Sequence, residues 1–81
     1  MRITVFQQDK KISVNFIHKD IVDKYAIDRA EEFLVCIDKL LRKRKISLIS
    51  FIGQIGHIEF KNAGILTERV IRVIILGLSF Q

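Results

Sequence analysis

From Asp28 to Arg44 the chain reads DRAEEFLVCIDKLLRKR, and no other segment specifies its conformation so completely. Ala30, Phe33, Leu34, Ile37, Leu40 and Leu41 recur at steps of three and four, the spacing of one helix face. Asp28 is a suitable N-cap, and Glu31 three residues later gives the spacing of a capping box. Glu31 and Glu32 fall in the first turn and Lys39, Arg42, Lys43 and Arg44 in the last, both favourable to the helix dipole. A helix over about 29–44 is therefore expected.

Everything before this helix reads as strand. Residues 2–6 (RITVF) and 12–17 (ISVNFI) are β-branched and aromatic, and the second alternates, with Ile12, Val14 and Phe16 on one side. The polar QQDKK between them suits a hairpin connection. After His18-Lys19-Asp20, the segment 21–27 places Ile21, Tyr25 and Ile27 on one parity, interrupted by Asp23. A three-stranded antiparallel meander is expected.

Beyond Lys45 the sequence ISLISFIGQIGHIEFKN has a strand-like composition, with Gly53 and Gly56 marking a bend or bulge. Residues 65–80 (ILTERVIRVIILGLSF) are ambiguous: their Val and Ile content favours a strand, but sixteen residues is long for one. Thr67 can cap and Glu68 suits a first turn, while 70–78 is apolar almost all round, which fits a helix covered on two sides. The predicted order is β-β-β-α-β-α, with a mixed sheet whose fourth strand runs parallel to the first.

The 81 residues, 49% hydrophobic with net charge +5, fit a single α/β domain spanning 1–81, near the size at which one core barely suffices. This composition excludes a disordered chain. One cysteine, Cys36, excludes an internal disulfide and fits a reducing, cytoplasmic setting. The beginning of the chain lacks the apolar stretch of a signal peptide. The uncharged run from Val73 to Gln81 falls far short of the roughly 18 residues that span a bilayer.

Charge is unevenly placed. Residues 1–38 hold six basic and seven acidic side chains, residues 39–81 eight and two. The densest feature, Arg42-Lys43-Arg44-Lys45, reads either as the solvated C-terminal end of the helix or as a contact for RNA phosphates, although no aromatic residue is interleaved for base stacking. Gly53-Gln54-Ile55-Gly56 has the G-x-x-G form of a KH loop, but its flanks are not two helices and its middle residues are not basic.

Catalytic chemistry finds little footing. His57 and Glu59 alternate on a strand and can share a face, yet no third metal ligand is spaced to join them. Cys36 has no histidine placed to activate it. Asp9, Asp20, Asp23 and Asp28 suit turns and strand ends better than a metal-binding acid cluster. No phosphate-cradling glycine motif occurs. No catalytic residue, metal or cofactor is expected.

Four segments carry a family resemblance. Glu31 to Leu41 reads EEFLVCIDKLL and is followed by Ile46-Ser47-Leu48. Then come Ala63-Gly64-Ile65-Leu66-Thr67-Glu68-Arg69-Val70 and the ending Leu76-Gly77-Leu78-Ser79-Phe80. From Arg29 onward the chain resembles the N-terminal half of the bacterial TsaB (YeaZ) family, the non-catalytic partner subunit in the synthesis of threonylcarbamoyladenosine in tRNA. Gly64, Thr67 and Arg69 coincide with the family's G-P-G-S-F-T-G-L-R-V signature if one residue is deleted. Most of the signature's glycines are missing, and Val5-Phe6-Gln7-Gln8 stands where members carry I-D-T-S, so nucleotide binding does not carry over.

The resemblance implies half of an actin-like, ribonuclease-H-like lobe whose two helices pair with a second copy or with a paralogous catalytic subunit. Fifteen isoleucines in so short a chain argue independently for burial against a partner. The expected interface is Phe33, Ile37, Leu40, Arg69, Arg72, Val73 and Leu76. The expected function is a non-catalytic protein-binding subunit; the alternative is a small RNA-binding module using Arg42 to Lys45 and the G-x-x-G segment.

Overall fold

Alternation over the first 27 residues builds three antiparallel strands in the computed structural model, which describes residues 1–79: β1 (Arg2–Gln8), β2 (Lys11–His18) and β3 (Ile21–Ile27). Both hairpins close with two residues, Asp9-Lys10 and Lys19-Asp20, and each turn opens with a positive φ, 56° at Asp9 and 55° at Lys19. That left-handed step matches the twist of the flanking strands. β1 and β2 run further into the polar connection than composition predicts, because the ladder continues through Gln7 opposite Ile12 and Gln8 opposite Lys11.

A single 3-10 turn at Ala30–Glu32 leads into α1 (Phe33–Arg44). The start is offset from the capping box expected at Asp28 and Glu31. The Arg29 N–H donates to the Glu32 carboxylate at 3.2 Å, and Asp28 instead accepts from Lys11 Nζ at 2.6 Å. Lys45, at φ 55° and ψ 45°, ends the helix in the left-handed conformation.

The segment predicted as strand after Lys45 divides into a helix and a short strand. Ser47 caps α2 (Leu48–Gln54), its hydroxyl accepting from the Ser50 N–H at 3.1 Å. Leu48, Phe51, Ile52 and Ile55 stand at helical spacing and all pack on the core, which outweighs the β-propensity of the isoleucines. β4 (His57–Lys61) then pairs parallel with β1, Arg2 opposite His57 through Phe6 opposite Lys61. The sheet order is β3-β2-β1-β4, so the mixed sheet and the parallel fourth strand are as expected. α3 spans Ile65–Ser79, and the predicted extension to Phe80 lies outside the described residues.

The core forms between one sheet face and the helices. Ile3, Val5, Ile12, Val14, Phe16 and Ile27 meet Phe33, Cys36, Ile37, Leu40, Phe51 and Ile71. Phe16 sits at the centre, its ring centroid about 6 Å from those of Tyr25, Phe33 and Phe51. Burial pushes the Cys36 thiol above its ordinary range, so it remains protonated and inert. No helix among the described residues is long and apolar enough to cross a membrane.

Candidate functional site

α1 and α3 differ in what they leave outside. α1 spends its apolar stripe inward. Phe33, Ile37 and Leu40, expected at the partner interface, are all buried against the sheet. They follow the i, i+4, i+7 row that the core requires and cannot also meet a partner. α3 behaves otherwise. Ile71 is fully buried and Val70, Ile74, Ile75 and Leu78 pack against the core, but Leu66, Val73 and Leu76 remain 76%, 67% and 61% exposed.

These residues lie seven and three apart, so they form one stripe along the outer side of α3. Beside it run two shallow apolar grooves. One, of about 390 Å³, lies between α3 and α1 and is lined by Glu31, Leu34, Arg69, Val70, Val73 and Ile74. The other, of about 350 Å³, lies between α3 and β4 and is lined by Ile58, Arg72, Val73, Ile75 and Leu76. Val73 borders both. Of the expected interface residues, the structure therefore brings together Arg69, Arg72, Val73 and Leu76.

Leu34 and Leu66 belong to this surface and were missed. Leu34 stands within the apolar run Phe33-Leu34-Val35, of which a helix can turn only part inward; the adjacent apolar residues were the available signal. Charges frame the stripe. Glu68 and Arg72 pair one turn apart at 2.9 Å, and the Arg72 guanidinium lies 4.9 Å from the centre of the Phe60 ring. This holds Arg72 over the Phe60 ring beside the second groove. Glu31 and Arg69 stand on opposite walls of the first groove, and neither forms an ion pair among the described residues.

The basic cluster is largely engaged. Asp23, read from sequence as a strand-end acid, lies on the core face of β3 at 4% exposure. Arg44 grips it with two hydrogen bonds of 2.9 Å and Lys43 approaches at 2.9 Å. The Arg44 guanidinium holds the Asp23 carboxyl below its ordinary range, against the opposing effect of burial. Arg42 pairs with Asp38 at 3.2 Å. Only Lys45 of the four has no ion pair among the described residues. The Asp23–Arg44 pair walls a cavity of about 270 Å³ between the β2–β3 end of the sheet and α1, with Phe16, His18, Leu40 and Ile46.

The G-x-x-G segment is not a loop between two helices. Gly53 lies within α2, and Gly56 donates to the Met1 carbonyl at 2.9 Å as the chain enters β4. His57 and Glu59 do share a sheet face, and no group of three or more potential metal ligands occurs among the described residues. No family model, curated protein or solved structure matches the chain.

Proposed function

We propose that this chain is a non-catalytic, partner-binding α/β subunit that associates through the outer stripe of α3 and the neighbouring flank of α1. The observation that carries this reading is the exposure of Leu66, Val73 and Leu76 along one line, bordered by two apolar grooves. Contiguous apolar surface of this kind on a small soluble fold marks an interaction site. A core this small also gains much from burial against another chain.

The resemblance to the TsaB family supplies the finer part of the proposal: half of an actin-like lobe, a second copy or a paralogous catalytic subunit as partner, and a role in cytoplasmic tRNA modification. The meander, crossover helix, parallel strand and final helix support that part. α2 is an addition to the implied order.

The test is sedimentation of the purified chain, and its capture of partners, with Val73→Asp beside the unaltered protein. Val73→Asp is expected to abolish association while leaving the chain folded, because this side chain is mostly in water within the single chain. Ile37→Asp is expected to unfold the chain instead. A monomer at micromolar concentration that captures no partner would sink the proposal.

A further inference from the structure

The sheet has a second face. Residues that pair in register share a side, so Arg2, Thr4 and Phe6 of β1 stand with Ser13, Asn15 and Ile17 of β2, Val22, Lys24 and Ala26 of β3, and His57, Glu59 and Lys61 of β4. The helices pack on the opposite side. Phe6, Ile17, Val22 and Ala26 take no part in the core or in the layer against it. All four strands are thus uncovered on this face among the described residues.

Its chemistry differs from that of α3. Three cations, Arg2, Lys24 and Lys61, stand around one carboxylate, Glu59, which lies 3.5 Å from Lys61. Arg2 and Lys24 form no ion pair among the described residues. Glu59, Thr4, Asn15 and Lys24 form one row across all four strands. Phe6 lies in the next row between Lys61 and Ser13. The side chains of Thr4, Ser13 and Asn15 have no hydrogen-bond partner among the described residues. The face therefore offers an aromatic ring, uncommitted hydroxyl and amide groups beside it, and positive charge on either side.

We propose that this open sheet face binds single-stranded nucleic acid, a base stacking on Phe6 and phosphates meeting Lys61, Arg2 and Lys24. Charge complementarity selects a polyanion, and the Phe6 ring with hydroxyl and amide groups beside it selects an unpaired base over a duplex, whose bases are already stacked. An acidic protein would answer the cations but would leave the hydroxyl and amide row without a reason. This site is separate from Arg42 to Lys45 and from the association stripe.

Fluorescence anisotropy of the full chain with a labelled uridine-rich RNA of about twelve nucleotides, the matching DNA and a blunt duplex tests the proposal. Affinity is expected to fall with salt at a log–log slope of about −2, since three phosphate contacts on a single strand contribute roughly −0.7 each. Lys24→Gln should reduce that slope by about 0.7. Phe6→Leu should weaken binding roughly tenfold while Phe6→Tyr preserves it, the difference reporting stacking. Arg42→Gln and Lys45→Gln should change nothing. Binding of either single strand supports the assignment, and the ratio of RNA to DNA affinity tells which sugar the face prefers. No retention at roughly 50 mM salt, equal affinity for the duplex, or sensitivity at Arg42 and Lys45 but not at Lys24 would overturn it. Lys24→Gln lies on an exposed strand position and keeps the test decisive should Phe6→Leu impair folding.

Discussion

Asp23 shows how one residue can reverse the meaning of a charge cluster. On sequence it breaks the apolar parity of Ile21, Tyr25 and Ile27, and the basic run nineteen residues later looks free to meet a polyanion. In the fold it keeps that parity, points inward, and draws Arg44 and Lys43 back over the edge of the core. A buried carboxylate needs such partners, because an unpaired one would be far too costly. The pH dependence follows with a definite sign. The carboxyl titrates lower in the folded chain than in the unfolded one, so the pair stabilises the fold above about pH 4 and that stabilisation is lost as pH falls through the folded value. Asp23→Asn, which removes charged hydrogen bonds from Arg44, is expected to cost about 2 kcal/mol at neutral pH. Denaturant titrations of both proteins between neutral and strongly acidic pH should show the difference shrinking below about pH 4. A difference that stays constant would contradict the pairing.

At the scale of elements, the three strands, α1 and the parallel β4 were legible from period or composition, and α3 from its length and first-turn residues, against a Val and Ile content that favours strand. α2 was not. Five isoleucines between 46 and 58 favour strand by propensity, while Ser47 and the spacing of Leu48, Phe51, Ile52 and Ile55 favour helix. Packing decides between them, since Phe51 reaches Phe16 only when the segment coils. The two conformations place Ile49 differently. In a strand it would share the face of Phe51; in α2 it turns to solvent. Ile49→Lys should therefore leave the thermal midpoint nearly unchanged, whereas Phe51→Ala should cost about 3–5 kcal/mol. Thermal melts followed by circular dichroism separate these outcomes. α1 carries a related lesson. Its periodicity correctly revealed an apolar stripe over Phe33, Ile37 and Leu40, but periodicity says only that a stripe is covered, not whether sheet or partner covers it.

At the scale of the whole molecule, two outer surfaces are left uncovered among the described residues, the apolar α3 stripe and the mixed polar and apolar sheet face. Alternation in the strands showed that each had two faces. It could not show that all the helices would crowd one of them, because that depends on tertiary placement. The stripe makes a specific demand of a second copy. A two-fold interface is self-complementary, each residue of one copy answering a different residue of the other. The groove between α1 and α3 has an acid on one wall, Glu31, and a base on the other, Arg69, neither in an ion pair among the described residues. Pairing two such grooves brings Glu31 of each copy to Arg69 of the other. Glu31→Arg alone and Arg69→Glu alone then set like charges opposite one another twice, and each variant should sediment as a monomer. The double variant restores opposite charges and should dimerise again. A mixture of the two single variants should form a heterodimer, since both charges on each chain's walls are then answered by the other's. Were the charges paired only within one chain, none of these substitutions would change the sedimentation coefficient. Dimerisation of both single variants would therefore exclude this two-fold arrangement while leaving a different partner for the stripe.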